Sequence, residues 1–342
     1  MPTIGSDVFK QLDDLTSVDV GSRGVDKLHV AATKIEGGPT CMKAAETLCN
    51  SVQTKRPVIL ATGFTIISAG RGETDGPPGA AILAEQLEKY GVRTVVITDR
   101  HLVPLIRSVF ETLELTDINI RIFPQTREQA KVEAENILRV IRPSTLIAVE
   151  RCGWNKLHVY HNMLGEDISS VTAPLDILFK IVSQARIATI GIGDGGNEIG
   201  MGKIRSTVRR YVRYGKVCRC PCKAGIANIT KTTNLIVSGV SNWGAYALAA
   251  SFSILSRLPY SHNGKRELAL LQATADAGAV DERSGIISSS VDGVSPSIMR
   301  RSLKSSTFWQ NLLGFLQLLS RKILSSKSLK QYSQSRTKAV RL

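Results

Sequence analysis

The sequence has 342 residues, of which 43% are hydrophobic and 21% charged, and it carries a formal net charge of +15. This composition excludes an intrinsically disordered chain, and no apolar run reaches the roughly 20 residues of a membrane-spanning helix. We therefore expect a globular protein with no integral membrane segment.

The excess positive charge lies mainly in the C-terminal segment. Ten Lys and Arg residues and no acidic residue follow Asp292, so the rest of the chain carries only about +5. Basic residues do not alternate with aromatic residues as they do in known nucleic-acid-binding modules, which predicts no nucleic-acid partner. The N-terminus, MPTIGSDVFKQLDDLTSVD, has acidic residues and no signal or transit pattern, which favours a cytoplasmic protein.

The predicted elements alternate between apolar strands and periodic helices from residue 56 onward. In chain order they are strand 57–63, helix 77–91, strand 93–99, helix 102–113, strand 118–124, helix 126–142, strand 145–151, helix 174–185, strand 186–192, strand 233–241 and helix 242–257. This order predicts a three-layer α/β/α sandwich with a mostly parallel sheet. We divide the chain into an N-terminal cap region (1–55), the α/β domain (56–295) and a basic, Ser-rich C-terminal tail (296–342).

Polar residues follow most of the predicted strands. Ligands of such sheets bind outside the carboxyl ends of the strands, and those ends lie along one edge. The sequence therefore predicts an active site at that edge. The polar residues at the strand ends are Thr62, Glu73 to Asp75, Asp99, Glu150, Arg151, Asp194 to Glu198, Ser241 and Asn242.

The segment IGIGDGGNEIGMGK (190–203) contains the GxGxxG pattern of a dinucleotide-binding loop. Asp194 and Glu198 argue against phosphate, because a like-charge contact at about 4 Å costs roughly 1–4 kcal/mol. No carboxylate lies about 20 residues downstream to bind a ribose, and Ile204 stands where a P-loop needs Ser or Thr.

This loop better suits a ligand that carries an ammonium and a carboxylate together. The N–H groups of Gly195 and Gly196, with Asn197, would hold the carboxylate, and Asp194 or Glu198 would face the amine. A divalent cation is an alternative ligand. A third interpretation is purely structural, with a tight turn whose acids stabilise a helix N-terminus.

Four further features have both a structural and a functional interpretation. Glu73 and Asp75 either begin the following helix, with Asp75 as its cap, or project onto the same edge as the glycine loop. Asn242 caps its helix, contacts a ligand, or does both.

The CRCPC cluster (218–222) is a possible soft-metal site, but it lacks paired CxxC spacing and no histidine lies nearby in the sequence. We therefore interpret it as a turn at Pro221. His161 is either a general base or a structural residue, and a lone histidine favours the structural role.

Several motifs together resemble the D-glutamate cyclase family, specifically the C-terminal-type domain of the mitochondrial enzyme. The resemblance covers about residues 25–295. Its motifs are ATGF (61–64), ETDGPPGAA (73–81), NMLGEDIS (162–169), APLD (173–176), GIGDGGNEIGMG (191–202), SNWGAYALAA (241–250) and VDG (291–293).

The resemblance implies a lyase (hydro-lyase) that closes D-glutamate to 5-oxo-D-proline and releases water, in the mitochondrial matrix and without a cofactor. It maps the site onto Asp194, Asn197, Glu198, Glu73 and Asp75. From the chemistry of the reaction we predict Asp194, Glu198 and Asp75 as catalytic residues, with Asp194 as the base or amine anchor and Glu198 or Asp75 as the proton donor. The predicted substrate-binding residues are Glu73, Gly195, Gly196, Asn197, Arg151 and Asn242.

Two other functional classes remain open. One is an NADP-dependent oxidoreductase of doubly wound fold, in which the basic residues around Arg209 would bind the 2′-phosphate. The other is a non-catalytic amino-acid-binding protein that binds D-glutamate without turnover.

Overall fold

A computed structural model describes residues 6–295. The predicted C-terminal tail lies outside these residues. The helices are α1 (Ser6–Thr16), α2 (Val25–Glu36), α3 (Thr40–Val52), α4 (Pro77–Lys89), α5 (Val103–Glu111), α6 (Arg127–Val140), α7 (Asp176–Gln184), α8 (Arg205–Tyr211), α9 (Ser241–Ser256) and α10 (Gly264–Asp276). The strands are β1 (Val58–Thr62), β2 (Thr65–Ile66), β3 (Arg71–Gly72), β4 (Thr94–Thr98), β5 (Asn119–Ile122), β6 (Thr145–Val149), β7 (Ala188–Gly193) and β8 (Asn234–Val237).

The main sheet has six parallel strands in the order β5-β4-β1-β6-β7-β8. Helices cover both faces, so the predicted three-layer α/β/α sandwich is confirmed. The short strands β2 and β3 form a separate antiparallel pair. The winding direction reverses between β1 and β6, and ligands of doubly wound sheets bind beside this reversal, at the carboxyl ends of the strands.

The central strands are buried on both faces, which explains why they appear in the sequence as continuous apolar runs. Along β1, Leu60 faces a core that also contains residues of α1, α3, α4 and α9. Its neighbour Ile59 faces a second core built with α6 and α7. The alternation follows from the two-residue period of a strand.

The N-terminal helices share the core of the α/β domain. Phe9 and Leu12 of α1 and Leu48 of α3 pack in the same cluster as the residues of α9. The buried Asp13 accepts hydrogen bonds from Thr40 Oγ1 at 3.0 Å and from the backbone N–H of Cys41 at 3.1 Å, at the start of α3. Residues of the predicted cap region are thus integrated into the domain, and its boundary at residue 55 stays a prediction.

Helices α4 and α9 approach each other closely because small residues lie between them. A Cβ atom at Gly79 would lie 2.8 Å from Ala245 Cβ and 3.0 Å from the Cα of Asn242. Helix α9 is buried from Ser241 to Ile254. No helix within residues 6–295 combines the length and apolar character needed to cross a membrane.

We expect Gly79→Ala to destabilise the protein. In an exposed helix this change would stabilise by up to about 1 kcal/mol, but forcing a methyl group into a packed contact costs about 1–3 kcal/mol. Urea unfolding should therefore give a lower free energy of unfolding for the variant. Gly38→Ala is the control, because a Cβ there would meet only Lys43 Cε at 3.5 Å. Equal stability of the Gly79 variant and the wild type would contradict the close approach.

Candidate active site

The loops after β1, β6 and β7 bring three buried carboxyl groups together at the reversal of the sheet. They belong to Asp75, Glu150 and Asp194, and each offers an oxygen atom within 4.8 Å of the others. Asp75 and Asp194 were predicted site residues, and the structure places them side by side although 119 positions separate them in the sequence. The sequence identifies Glu150 as a strand-end residue and indicates no role for it.

Asp75 and Asn242 stabilise the N-termini of each other's helices. Asp75 accepts hydrogen bonds from the backbone N–H groups of Ser241 and Asn242, both at 2.8 Å, at the start of α9. In return, Asn242 Oδ1 accepts from the N–H groups of Gly76 at 3.0 Å and Gly79 at 2.8 Å, at the start of α4. For each residue, a cap of its own helix is one of the roles that the sequence allows. The exchange instead fixes the β1 loop against the start of α9.

Glu150 adopts a backbone conformation that is uncommon outside glycine, with φ of 43°. Its carboxylate accepts a hydrogen bond of 2.5 Å from Ser241 Oγ. Gly76, with φ of 97°, lies against this residue, and a Cβ there would be 2.9 Å from Glu150 Cβ. The strained backbone and the neighbouring glycine together hold the Glu150 side chain beside Asp75.

Arg23 is the functional candidate that the sequence analysis missed. It lies between α1 and α2, and its guanidinium donates hydrogen bonds to Asp194 at 2.9 Å, Asp292 at 2.7 Å and Glu282 at 3.2 Å. It also donates to the backbone carbonyl of Gly239 at 3.2 Å. No local motif marks this arginine, since its partners are distant in the sequence and meet it only in the fold.

The glycine loop is closed by its own glutamate. Glu198 accepts hydrogen bonds from the N–H of Gly195 at 2.6 Å and from the N–H of Gly196 at 2.7 Å. The two N–H groups that were predicted to bind a substrate carboxylate therefore already have a partner within the chain. Asn197 donates from Nδ2 to the carbonyl of His161 at 2.8 Å, which ties the loop to the neighbouring segment.

Arg151 lies in an ion pair away from these carboxyl groups. Its guanidinium contacts both carboxylate oxygens of Asp99 and donates to the carbonyls of Gly63 at 2.9 Å and Ala173 at 3.0 Å. Asp99 also accepts a hydrogen bond of 2.7 Å from the Ala173 backbone N–H. The predicted role of Arg151 as a carboxylate ligand thus competes with four contacts that connect the ends of β1, β4 and β6.

Burial and mutual repulsion raise the pKa of most of the buried carboxyl groups at the reversal of the sheet. Burial raises the pKa of Asp75 to about 8, and the negative charge of Asp292 adds to this effect. Burial raises the pKa of Glu282 to about 7, with Arg23 opposing the change. Burial also raises the pKa of Glu150 and Asp194 well above their ordinary ranges, and Arg23 opposes the change at Asp194.

Glu73 is a further buried carboxyl group at this end of the sheet. Its Oε1 atom is buried and has no hydrogen-bond partner in the described part of the chain. Burial, followed by the charges of Glu282 and Asp75, raises its pKa well above the ordinary value. We call this set of electrostatically coupled carboxyl groups the acidic cluster. It consists of Glu73, Asp75, Glu150, Asp194, Glu198, Glu282 and Asp292.

The acidic cluster can neutralise its charge in three ways. It can hold protons, it can contact Arg23, or it can bind a cationic ligand. The carboxylate oxygens of Asp75, Glu150 and Asp194 are hard donors of the kind that Mg²⁺ and Mn²⁺ prefer. An organic ammonium group would use the same oxygens as hydrogen-bond acceptors.

Residues 12–304 match the sequence profile of a family described as D-glutamate cyclase-like, C-terminal. The chain belongs to this family. It is also 32% identical over 261 residues to "D-glutamate cyclase, mitochondrial" of Homo sapiens, a match that covers 73% of this chain and 39% of the human protein. The aligned region is thus well under half of that relative's length.

We expect Glu73→Gln to stabilise the protein increasingly as the pH rises. The folded wild type keeps a proton on Glu73 that the unfolded chain releases above pH 4.5, the ordinary value. The wild type therefore loses up to about 1.4 kcal/mol of stability per pH unit from this group between the unfolded and folded pKa. Gln carries no such dependence, so the variant should gain at least about 1 kcal/mol at pH 8 and almost nothing at pH 4.5.

Urea unfolding of both proteins at pH 4.5, 6 and 8 measures this difference. Glu46→Gln, an exposed carboxyl group on α3, is the control and should show no comparable trend. A stability difference for Glu73→Gln that does not change with pH would show that Glu73 is ionised in the folded protein.

Proposed function

We propose that this chain is a lyase that closes D-glutamate to 5-oxo-D-proline with release of water. Family membership and the human relative's printed name support the substrate. The observation that carries the proposal is the meeting of Asp75, Glu150 and Asp194 at the reversal of the sheet, beside Arg23. This site offers carboxyl groups in two electrostatic environments, which acid–base catalysis needs.

The reaction sets clear chemical requirements. The α-ammonium of the substrate loses one proton before its nitrogen attacks the carbon of the γ-carboxyl group, and the attacking nitrogen loses a second one to become the lactam N–H. One C–N bond forms and one C–O bond breaks, and the departing carboxyl oxygen takes up two protons in all to leave as water. A base and an acid are therefore both required, and holding the chain in a folded conformation supplies a further part of the rate.

Asp194 is the base in our proposal. It contacts Arg23 directly, and a neighbouring cation favours the ionised form of a carboxyl group. Among the described residues, neither Glu150 nor Asp75 forms such an ion pair with Arg23. The substrate ammonium would lie against Asp194 and transfer its proton there.

Asp75, sharing a proton with Glu150, is the acid. The pKa of Asp75, raised to about 8 by burial, keeps this pair partly protonated at neutral pH. The donor that stabilises the developing oxyanion is then a protonated carboxyl group. Gly195 and Gly196 contribute indirectly, because Glu198 uses their N–H groups to hold the loop and with it Asp194.

The substrate's α-carboxylate requires a cationic or neutral partner. We assign this role to Arg23, whose side chain is 12% exposed and already lies at the cluster. Arg151 is instead a positioning residue for the strand ends, because its ion pair is with Asp99, which is not a member of the acidic cluster, and its other contacts are two backbone carbonyls. Glu73 lies in the loop after β1, and Asn242 of α9 contacts the end of that loop at Gly76. We assign both to the wall of the substrate site.

The position of the glycine loop weighs against the oxidoreductase alternative. In dinucleotide-binding folds with this strand order, the glycine fingerprint follows the first strand. Here it follows β7, the fifth strand of the main sheet along the chain, and Glu198 covers two of its N–H groups. We expect no saturable quenching or enhancement of NADPH fluorescence when this protein is added.

The cellular compartment is proposed from the relative alone. The printed name of the human protein includes the word mitochondrial. We propose a mitochondrial location for this chain, with the cytoplasm as the alternative suggested by the sequence. Fluorescence microscopy of a C-terminal fusion in cells of the source organism distinguishes the two.

We expect Asp194→Asn to lower kcat/KM for D-glutamate by about 10²–10⁴-fold, because an amide cannot accept the ammonium proton. The assay incubates the purified full-length chain with D- or L-glutamate and separates 5-oxoproline from substrate by chromatography. Glu85→Gln is the control, since Glu85 is a partly buried, ion-paired carboxylate outside the acidic cluster. It should keep wild-type activity.

The same assay distinguishes the alternatives. A wild-type rate for Asp194→Asn and for Glu198→Gln would refute the assignment of the site. Calorimetric binding of D-glutamate without product would identify a non-catalytic binding protein. A requirement for added Mg²⁺ or Mn²⁺ would show that the three carboxylates bind a cation and that the substrate binds through it.

Arg23→Gln should shift the acidic limb of the kcat/KM profile to higher pH. Without the guanidinium the pKa of Asp194 rises further, by about 1–3 units for loss of a close opposite charge, so a higher pH is needed to ionise the base. Arg23→Lys keeps the charge and should shift the limb less. Circular dichroism checks that both variants are folded, and an unchanged limb in Arg23→Gln would separate Arg23 from the catalytic base.

A further inference from the structure

A second cluster of polar side chains lies apart from the acidic cluster. It contains the three cysteines of CRCPC and His161, a residue that precedes Cys218 by 57 positions. Cys218 Sγ lies 3.5 Å from Cys220 Sγ and 3.3 Å from Cys222 Sγ. His161 Nε2 lies 3.2 Å from Cys220 Sγ and 3.5 Å from Cys222 Sγ. Four soft donor atoms thus converge on one point.

These distances match a tetrahedral zinc site. With Zn–S of about 2.3 Å and Zn–N of about 2.0 Å, neighbouring ligand atoms in a tetrahedron lie about 3.5–3.8 Å apart. The observed separations are within a few tenths of an ångström of that range. They are also far longer than the sulfur–sulfur bond of a disulfide, about 2.05 Å.

The histidine is oriented for metal binding. Its Nδ1 atom lies 3.2 Å from the carbonyl oxygen of Val159. Because a carbonyl can only accept, Nδ1 carries the hydrogen and Nε2 presents its lone pair to the three sulfurs. A backbone carbonyl that fixes the tautomer in this way is the usual outer partner of a zinc-bound histidine.

The sulfur atoms also have the surroundings of metal-bound thiolates. Asn155 donates from Nδ2 to Cys222 Sγ at 3.5 Å. The backbone N–H groups of Arg219 and Cys220 donate to the carbonyl of Gly165 at 2.9 and 3.1 Å. These two backbone hydrogen bonds join the cysteine loop to the segment that carries His161. The backbone therefore also holds the ligands in place.

We propose that His161, Cys218, Cys220 and Cys222 bind one zinc ion in a closed structural site. The turn predicted at CRCPC is present, and the histidine that seemed absent is supplied by the fold. Four protein ligands leave no open position, so the ion crosslinks two loops and performs no chemistry. The carbonyl of His161 accepts the hydrogen bond from Asn197, and through it the zinc site supports the glycine loop.

The experiment measures metal in the full-length chain, purified under reducing conditions without a metal-affinity tag and dialysed against metal-free buffer. Mass spectrometry of the metal content should give about one zinc per chain. Cys220→Ser should reduce the zinc content to background. Cys49→Ser is the matched control, since Cys49 lies on α3 outside the cluster, and it should keep the zinc.

Two further measurements keep the outcome independent of folding defects. Cys222→His replaces one zinc ligand by another and should retain zinc. Replacing zinc by Co²⁺ in the wild type should give the intense visible bands of a tetrahedral thiolate site. Absence of zinc in the wild type with no uptake of Co²⁺ would overturn the proposal. So would an intact mass two hydrogens lighter that maps to a disulfide within CRCPC.

Discussion

The burial of many carboxyl groups around one guanidinium is the constraint on which the site depends. Two ionised carboxylates 4 Å apart repel by about 4 kcal/mol at an effective dielectric of 20, and a whole domain is stable by only about 5–15 kcal/mol. The repulsion among several ionised carboxylates at such a spacing is therefore comparable to the stability of a whole fold. A retained proton, a neighbouring guanidinium or a bound cation relieves this repulsion. Each of these suits the proposed reaction, whose substrate carries an ammonium group and which needs an acid.

The fold holds these groups together through contacts between loops rather than through a local motif. Asp75 and Asn242 exchange caps between α4 and α9, and Glu150 takes a strained backbone conformation to reach Ser241. Gly79 allows the two helices to approach closely enough for this exchange. The small residues between α4 and α9 therefore also position the carboxyl group of Asp75. A wider separation of the two helices would break the hydrogen bonds that orient it.

The sequence predicted the sheet and the edge at which polar residues gather, because both follow from local patterns. Strands buried on both faces appear as continuous apolar runs, and their carboxyl ends must meet at one edge. Asp75 and Asp194 could be found in this way. Arg23 could not, because a single arginine between two helices has no periodicity or motif, and its contacts join residues more than 170 positions apart. The capping of the loop N–H groups by Glu198 was one of the interpretations that the sequence left open, since the spacing fits a ligand contact and a capping contact alike.

The glycine loop shows how one sequence pattern can serve different chemistry at different positions in one topology. After the first strand of a doubly wound sheet, such a loop presents free N–H groups to a pyrophosphate. Here it follows β7, and its glycines instead admit the Glu198 carboxylate and close contacts with Val208 and Met163. Asn197 extends the loop to the carbonyl of His161. The glycines therefore make a compact support that carries Asp194 to the centre of the acidic cluster, and the acids that seemed unsuited to the pattern are the reason for its shape.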